Sequence, residues 1–345
     1  MLKNNWRCLF IYFLICNYSI NAFSQNYSIT VLHDSLNTSL RGLAVVNDSV
    51  IWVSGSNGYV GKSLNGGRSW DFQKIMPFDS AEFRDIEAFD ENTAIVMSSV
   101  QPPCILKTMD GGKTWKEVYR DQRHAAFLDA IDFYNGIGSC IGDPVDGWFL
   151  VLTTPDSGNT WREISRVGKN DLLIKVAAFA ASGSVIKQVD DHSICFATGG
   201  VEAFIFYSEN NGSDWQMMPT DILHGSESSG IFSFDMDEKK HLIAAGGDYL
   251  NAGEIVNTMY YLKNFNKMGK PVINPVGYIS CVKFWDEDKI IACGTNGIAI
   301  TNWPENSSSL ISNQSFNVAG ISGSGKSVFF AGGNGRIAKL IIQEK

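Results

Sequence analysis

Short apolar runs recur along the chain, and each ends in small residues such as Ser, Ala or Gly. The seven runs are residues 51–55, 94–98, 137–142, 194–200, 242–247, 290–294 and 328–333. Apolar side chains occupy nearly every position of a run, which is typical of a strand covered on both faces rather than of an amphipathic helix. The pattern therefore predicts seven buried strands, and their small residues suit a crowded position near a common axis.

A turn motif follows four of these runs. Its copies, named here the Gly-Trp turns, are Ser63–Trp70, Thr108–Trp115, Thr154–Trp161 and Ser208–Trp215. Their key residues are Asn65, Gly67, Trp70, Asp110, Gly112, Trp115, Asp156, Gly158, Trp161, Asn210, Gly212 and Trp215. The Asn or Asp can accept backbone N–H groups of its own turn, the Gly permits a positive φ, and the Trp offers a large ring to bury. The tryptophans are 45, 46 and 54 residues apart, which predicts one propeller blade per repeat.

The runs and turns together predict an all-β fold, a seven-bladed β-propeller of four-stranded antiparallel blades. The last unit, from about residue 317 to 343, is one strand short, whereas segment 27–32 reads as a strand without a neighbour. Pairing of this N-terminal strand with the last unit would close the ring and remove exposed sheet edges. We therefore expect residues 25–345 to form a single propeller domain.

The composition narrows the choice of partner. The chain has 345 residues, of which 33 are Gly, 9 are Pro and 19% are charged. Its net charge of −8 disfavours nucleic acid, because binding to phosphates needs a basic surface. We expect a monomer that binds a protein or a glycan and has no cofactor, no metal and no membrane span.

The first 24 residues are typical of a signal peptide. Lys3 and Arg7 form a basic start, and an apolar run follows at residues 8–16. Residues 22–24, just before Gln25, have small side chains at their first and last positions. The run is too short to cross a bilayer as a helix, which needs about 20 residues. We therefore expect export to the periplasm or the cell exterior, with cleavage near Ser24/Gln25.

Cleavage there would leave five cysteines, namely Cys104, Cys140, Cys195, Cys281 and Cys293. An odd count without regular spacing is not a disulfide framework. Each lies in an apolar, strand-like stretch, which favours a role as a small core residue. Pairing of Cys281 with Cys293 across a hairpin remains open.

The Gly-Trp turns carry a family resemblance. Their pattern, Ser/Thr-x-Asp/Asn-x-Gly-x-Thr/Ser-Trp, resembles the Asp box, or BNR repeat, of sialidases, xyloglucanases, sortilin-type receptors and photosystem II stability and assembly factors. Segments 83–89, 142–147 and 331–340 look most like the last group, in the form found as exported propellers of Bacteroidota. The resemblance covers essentially the whole chain after the signal peptide. It implies a propeller, and it implies little about function because one fold hosts many functions.

Propeller geometry separates the Gly-Trp turns from the expected binding face. If strands A to D run from the axis to the edge of a blade, the Gly-Trp turns join C to D. The opposite face then consists of the D–A connections and B–C turns, and in the sialidases that face holds the ligand. Polar residues there should converge at the mouth of the central channel, where a pocket is expected. The candidates are Arg41 and Arg84 at the start of strand A, Asp85 and Asp129 one place later, Asp143 and Asp146 in the B–C turn of blade 3, and Asp248 in that of blade 5. Capping of turns is the alternative role for this set.

No residue is assigned a catalytic role. Residues 320–327 match the P-loop pattern, but a strand follows them where a P-loop needs a helix. A sialidase needs an arginine triad, and only Arg41 and Arg84 lie on the expected face. A xyloglucanase-type hydrolase needs two facing carboxylates, which can in principle be supplied by Asp85, Glu87, Asp129 and Asp143. The favoured interpretation is a non-catalytic binding or assembly scaffold for a protein partner. A glycoside hydrolase, a lectin-like glycan binder and calcium at residues 143–146 remain as alternatives.

Overall fold

Seven antiparallel sheets, each containing a four-stranded blade, form the molecule. The computed structural model describes residues 26–99, 101–164, 167–168, 175–263, 265 and 269–343. The predicted seven-bladed β-propeller is confirmed. The predicted signal peptide, residues 1–24, lies outside the described residues.

Strands A to D of each blade follow one another along the chain. Blade 1 comprises Leu40–Val45, Ile51–Gly55, Tyr59–Ser63 and Asp71–Lys74; blade 2, Phe83–Ala88, Ala94–Ser98, Cys104–Thr108 and Lys116–Arg120; blade 3, Leu128–Tyr134, Ile137–Val145, Trp148–Thr154 and Arg162–Glu163. Blade 4 comprises Ile186–Gln188, Ile194–Ala197, Phe204–Ser208 and Gln216–Pro219; blade 5, Ser229–Met236, Leu242–Asp248, Met259–Leu262 and Lys270–Pro271; blade 6, Cys281–Asp286, Lys289–Gly294, Gly297–Asn302 and Ser307–Ser312. Each of the predicted apolar runs supplies strand B of its blade, and the described residues of these strands are almost entirely buried.

Blade 7 joins the two ends of the described chain. Its strands A to C are Val318–Ile321, Val328–Ala331 and Ile337–Gln343, and strand D is the N-terminal strand Asn26–His33. The N-terminal strand runs antiparallel to strand C, with Tyr27 opposite Ile342 and Val31 opposite Ala338. The predicted closure of the ring by this strand is confirmed.

A few short elements lie outside this scheme. Val167–Gly168 pairs with strand C of blade 3, and Val176–Ala177 pairs with Gly199–Gly200 beside blade 5. The helical elements of the described residues are two 3-10 turns, Tyr249–Asn251 and Gly333–Gly335. The first belongs to the long B–C loop of blade 5, which lies at the mouth of the channel.

The four Gly-Trp turns share one hydrogen-bond pattern. The hydroxyl of the first residue accepts the N–H of the fifth-position Gly at 2.9–3.0 Å. The Asn or Asp carbonyl or carboxylate oxygen accepts the N–H of the seventh residue at 2.9 Å. The fifth-position glycines have φ between +75° and +90°, a region that side chains with a Cβ rarely adopt. Sequence-local hydrogen bonds therefore fix these turns.

Each Gly-Trp turn also packs against the preceding blade. A Cβ on Gly158 in blade 3 would overlap Cδ1 of Ile95 in blade 2. Trp115 of blade 2 meets Trp52 of blade 1 edge to face, at 6.5 Å between ring centroids. The turns thus stabilise the contacts between blades as well as the hairpins that contain them.

The A strands of neighbouring blades are linked around the channel by buried carboxylates. Asp85 accepts the N–H of Ile131 at 2.8 Å, and Asp132 accepts that of Gln188 at 2.7 Å. Asp235 likewise accepts the N–H of Phe284 at 3.0 Å. Backbone donors that face the channel are satisfied in this way by side-chain acceptors.

The cysteines and the P-loop-like segment have structural positions. All five described cysteines are buried and free, and Cys281 lies directly opposite Cys293 on the paired strand. The segment 322–327 is the turn between strands A and B of blade 7, and a strand follows it as the sequence predicts.

Candidate functional site

The candidate site lies where the A strands begin, at the mouth of the channel opposite the Gly-Trp turns. Arg41 and Arg84 are the second residues of strand A in blades 1 and 2, as expected. Each occupies a shift in strand register, because pairing passes from Leu40 directly to Gly42 and from Phe83 directly to Asp85. Such a bulge inserts one extra residue and re-aims its side chain. Both arginines therefore turn from the sheet toward the mouth.

The mouth contains a pocket of about 400 Å³. Its side-chain wall includes Arg41, Arg84, Phe179, Phe232, Tyr249 and Tyr278. Phe179 stacks on Phe232 at 4.0 Å between centroids, and Tyr278 meets Phe232 edge to face at 4.9 Å. The pocket thus combines two guanidinium groups with an aromatic wall, and a concave site with such convergent polar groups is typical of ligand binding.

Among the described residues, Arg84 has one acidic partner and Arg41 has none. The nearest carboxylate to Arg84 is that of the half-buried Glu82, with Oε2 at 3.5 Å from Nε, and Arg41 has no ion pair. Burial lowers the pKa of Arg41, and the positive charge of Arg84 lowers it further. Nε of Arg84 is buried without a hydrogen-bond partner. Two neighbouring guanidinium groups, of which that of Arg41 is largely desolvated, favour the binding of an anion.

A short piece of backbone, the mouth segment (residues 178–181), crosses the pocket wall. Nη1 of Arg41 donates to the carbonyl of Ala181 at 3.1 Å, and Nη1 of Arg84 donates to that of Ala180 at 3.2 Å. Each arginine donates one hydrogen bond to this segment, and both arginines line the pocket. The segment also carries Phe179 into the aromatic wall.

Asp129 and Asp143 accept hydrogen bonds from the backbone of the mouth segment. Oδ1 of Asp143 accepts the N–H of Ala178 at 3.1 Å, and Asp129 accepts the N–H of Ala180. Burial raises the pKa of Asp143 to about 6. Burial raises the pKa of Asp129 well above its usual range, and the Asp143 charge adds to this. The positive charge of Arg84 opposes this rise in the pKa of Asp129. Oδ2 of Asp129 has no hydrogen-bond partner among the described residues.

Two of these positions differ from the sequence expectation. Asp129 occupies the same register shift as Arg41 and Arg84, and does not lie one place later, because Leu128 pairs with Gly142 and Ala130 with Ile141. Asp143 lies within strand B at a bulge, not in the B–C turn, which consists of residues 146–147.

Asp85 does not join the mouth group. It lies one residue beyond the register shift and therefore points into the channel, where it accepts the N–H groups of Ile86 and Ile131, both at 2.8 Å. Burial raises its pKa well above the usual range. A carboxyl group that is 4% exposed and already bonded to two backbone donors serves the fold rather than a ligand.

Asp146 and Asp248 also stay outside the pocket. Asp146 is exposed in the B–C turn of blade 3, with φ of +55°. Asp248 caps the 3-10 turn of blade 5, where Oδ1 accepts the N–H of Leu250 at 2.9 Å. The capping alternative therefore describes Asp248.

Sequence reasoning missed the aromatic wall. Phe232 occupies the register shift of blade 5, since pairing passes from Ile231 to Ser233, and an alignment of the A strands with Arg41 could have found it. Phe179 and Tyr249 lie in irregular segments without hydrophobic periodicity, so the sequence offered no comparable signal for them.

A second, wider cavity of about 620 Å³ opens at the other end of the channel. Glu87, Asp235 and Lys283 line its floor, and Trp285 and the backbone of 322–325 line its wall. Its charges are of both signs, and Asp235 also pairs with Lys187 at 3.2 Å. The mouth pocket differs from this cavity because the charged side chains in its lining are the two arginines.

Two further properties concern metals and membranes. Across the described ranges, His, Cys, Asp and Glu side chains form no group of three placed to hold a metal ion. In the same part of the chain, no helix has the length and apolar character needed to cross a membrane.

Comparisons with known proteins identify the fold. No protein-family model matches the sequence, and no curated protein sequence matches it significantly. The structure is similar to that of YCF48 bound to a D1 peptide, with a TM-score of 0.65 and 12% identity over 92% of this chain and 97% of that one. It is similar to YCF48 from Cyanidioschyzon merolae, with a TM-score of 0.63 and 15% identity over 90% of this chain and 98% of that one. The WD40 repeats of RRP9 match with a TM-score of 0.65 and 12% identity over 92% and 98%. The chain therefore has the propeller fold shared by YCF48 and WD40-repeat proteins.

Proposed function

We propose that the protein is a non-catalytic binding scaffold whose mouth pocket holds a carboxylate of a protein partner between Arg41 and Arg84. One observation carries the proposal: the guanidinium groups of Arg41 and Arg84 are the charged groups in the lining of the pocket, and Arg41 is largely buried without an acidic partner among the described residues. Arginine binds carboxylates through two parallel hydrogen bonds, and its remaining donors are free for this purpose.

The structural neighbours support a protein partner. YCF48 has been solved with a bound D1 peptide, and RRP9 is a WD40-repeat protein. Propellers of this kind offer several loops around one mouth, which suits recognition of an extended segment.

The same proposal includes the features that only the sequence suggests. We assign the Gly-Trp turns to the Asp-box class and the protein to the exported, photosystem II assembly factor-like propellers. Residues 25–345 would act as one monomeric domain in the periplasm or outside the cell after cleavage near Ser24/Gln25.

A carbohydrate-active protein is the second candidate. The exposed ring of Tyr249 beside Phe232 favours it, because sugars stack on aromatic faces. The carboxylates Asp85 and Asp129 argue against hydrolysis, since both are almost fully buried and bonded to backbone N–H groups. A glycan array and a panel of aryl glycosides test this candidate directly.

The decisive experiment selects ligands without assuming a partner. A displayed library of random hexapeptides with free C-terminal carboxylates is selected against the protein, and affinities of the best peptides are measured by fluorescence anisotropy. Amidation of the peptide, or Arg41→Gln in the protein, should weaken binding about thirtyfold, as for a desolvated arginine–carboxylate pair.

The matched control is Arg162→Gln, because Arg162 is exposed on strand D of blade 3 and away from the mouth. Melting temperatures of both variants separate lost binding from lost folding. If amidated and free peptides bind equally well, the carboxylate site is wrong. Turnover of a glycoside that Asp129→Asn abolishes would establish the second candidate instead.

A further inference from the structure

We infer that the partner segment carries aliphatic residues next to its carboxylate, and that these residues pack on an apolar ledge beside the mouth pocket. The apolar ledge consists of Tyr249, Leu250, Ile255 and Val256 on the B–C loop of blade 5. The inference rests on the proposed function, which places the carboxylate between the arginines.

The ledge exposes an unusual amount of apolar surface for one loop. The exposed fractions are 49% for Tyr249, 78% for Leu250, 55% for Ile255 and 60% for Val256. Single exposed apolar residues are ordinary, but several together beside a pocket mark an interaction surface. The same loop also carries Asp248 and Glu254, whose carboxylates accept the N–H groups of Leu250 and Val256, both at 2.9 Å.

The loop is fixed to its surroundings by its backbone. The carbonyl of Ala252 accepts the N–H of Tyr278 at 3.0 Å and the side-chain amide of Asn296 at 2.6 Å. On the other side, the carbonyl of Asn257 accepts the N–H of Leu223 at 2.8 Å. A surface that is already ordered costs little conformational entropy when a ligand binds. The loop backbone therefore fixes the positions from which these exposed side chains project.

Tyr249 connects the ledge to the pocket. Its ring lines the pocket and meets Phe232 edge to face, at 6.0 Å between centroids. A segment that places its carboxylate between Arg41 and Arg84 therefore enters the pocket that Tyr249 lines, and Leu250 follows Tyr249 directly along the loop. In such a segment, the carboxylate complements the arginines of the pocket, and the neighbouring aliphatic residues complement the apolar ledge.

The occupant that fits is a polypeptide segment rather than a fatty acid. The tail of a fatty acid is best buried in an enclosed apolar tunnel, whereas the ledge is an open surface of separate side chains. Alternating residues of an extended peptide can each cover one of these side chains.

The test compares two fluorescein-labelled hexapeptides with free C-terminal carboxylates, which differ only at the third and fourth positions. One carries Leu-Leu there and the other Ser-Ser. Wild-type protein should bind the Leu-Leu peptide at least about tenfold more tightly, since two leucines lose part of their contact with water. The double variant Leu250→Ser, Val256→Ser should reduce this preference to about twofold or less.

Three controls assign the outcome. Leu64→Ser removes a side chain that is 54% exposed in a Gly-Trp turn on the opposite face, and should keep the preference. Arg41→Gln should weaken both peptides equally. The melting temperature of the ledge variant should be unchanged, since both substituted side chains are exposed.

The contrary outcomes are distinct. Equal binding of both peptides to wild type, still dependent on Arg41, overturns the ledge and leaves the carboxylate site standing. A Leu-Leu preference that survives amidation and Arg41→Gln overturns the carboxylate site instead. Displacement by dodecanoate at lower concentration than by the Leu-Leu peptide overturns the peptide in favour of a lipid. Analytical ultracentrifugation tests for a dimer. If wild type is a dimer and Leu250→Ser dissociates it, the ledge binds a second copy of this chain, and the peptide inference is overturned.

Discussion

Blade 3 carries an aspartate at each end, and the two ends shift the pKa of its carboxyl group in opposite directions. In the Gly-Trp turn, the hydroxyl and backbone N–H of Thr160 hold the pKa of Asp156 at about 2. At the mouth, burial raises the pKa of Asp143 to about 6. The turn uses its carboxylate as a permanently charged acceptor, whereas the mouth encloses a carboxyl group that favours its proton. The comparison separates the end that maintains the ring from the end that forms the pocket.

The largest expected effect concerns the glycines at the two ends. Gly158 in the Gly-Trp turn and Gly147 in the mouth-side turn have φ of +78° and +85°. A Cβ on Gly158 would also overlap Ile95 of blade 2, whereas a Cβ on Gly147 has no atom within 4 Å. We expect Gly158→Ala to lower the free energy of unfolding by about 3 kcal/mol, since backbone strain and overpacking add.

Gly147→Ala is the matched control for that prediction. It carries the backbone strain alone, so its expected cost is about 1 kcal/mol. Urea titration of both variants, followed by tryptophan fluorescence, compares them. Equal costs would mean that the contact between blades at the Gly-Trp turn adds nothing to stability.

The next effect is a difference in the sign of pH dependence. The pKa of Asp143 is raised, so its contribution to stability is complete below its ordinary pKa of 3.8 and is lost as the pH rises through about 6. The pKa of Asp156 is lowered, so its contribution is complete above 3.8 and is lost as the pH falls through about 2.

Unfolding free energies of wild type, Asp143→Asn and Asp156→Asn across this pH range measure the difference. Relative to Asp143→Asn, wild type should lose stability between pH 4 and pH 6.5. Relative to Asp156→Asn, it should gain stability between pH 2 and pH 4. If the two stability differences change with pH in the same direction, the predicted contrast between Asp143 and Asp156 is wrong.

The smallest effect is expected at Asp146. Its side chain is exposed outside the pocket, and Asn also tolerates its positive φ. Asp146→Asn should change the free energy of unfolding by less than about 0.5 kcal/mol and the affinity for the carboxylate peptide by less than about twofold. A larger loss of affinity would mean that Asp146 contributes to the binding site after all.

The two ends also differ in how far the sequence predicted them. The residues of a Gly-Trp turn lie within eight positions of one another, as in Thr154–Trp161, so a repeated pattern contains all the contacts that define the hairpin. Strand B and the closing N-terminal strand were equally accessible, because continuous apolar runs and an unmatched strand are visible without knowledge of distant contacts.

The mouth was predicted only in part. The positions of Arg41 and Arg84 followed from repeat alignment. The register shifts at Arg41, Arg84 and Asp129 leave no mark in the residue pattern, and a shift of one residue sends a side chain to the opposite face of a strand. Asp85 consequently belongs to the channel. Phe179 and Tyr249 reach the pocket from irregular segments, whose course depends on contacts with other blades.

Strand pairing in blade 7 decides how the molecule responds to a pulling force. Tyr27 lies opposite Ile342 and Val31 opposite Ala338, so the two ends of the described chain leave the ladder on the same side. Tension between them therefore loads the hydrogen bonds one pair at a time, as in opening a zipper, rather than all together in shear. Anchored at both ends, the molecule would yield first along this seam, while the remaining six blades keep their own sheets.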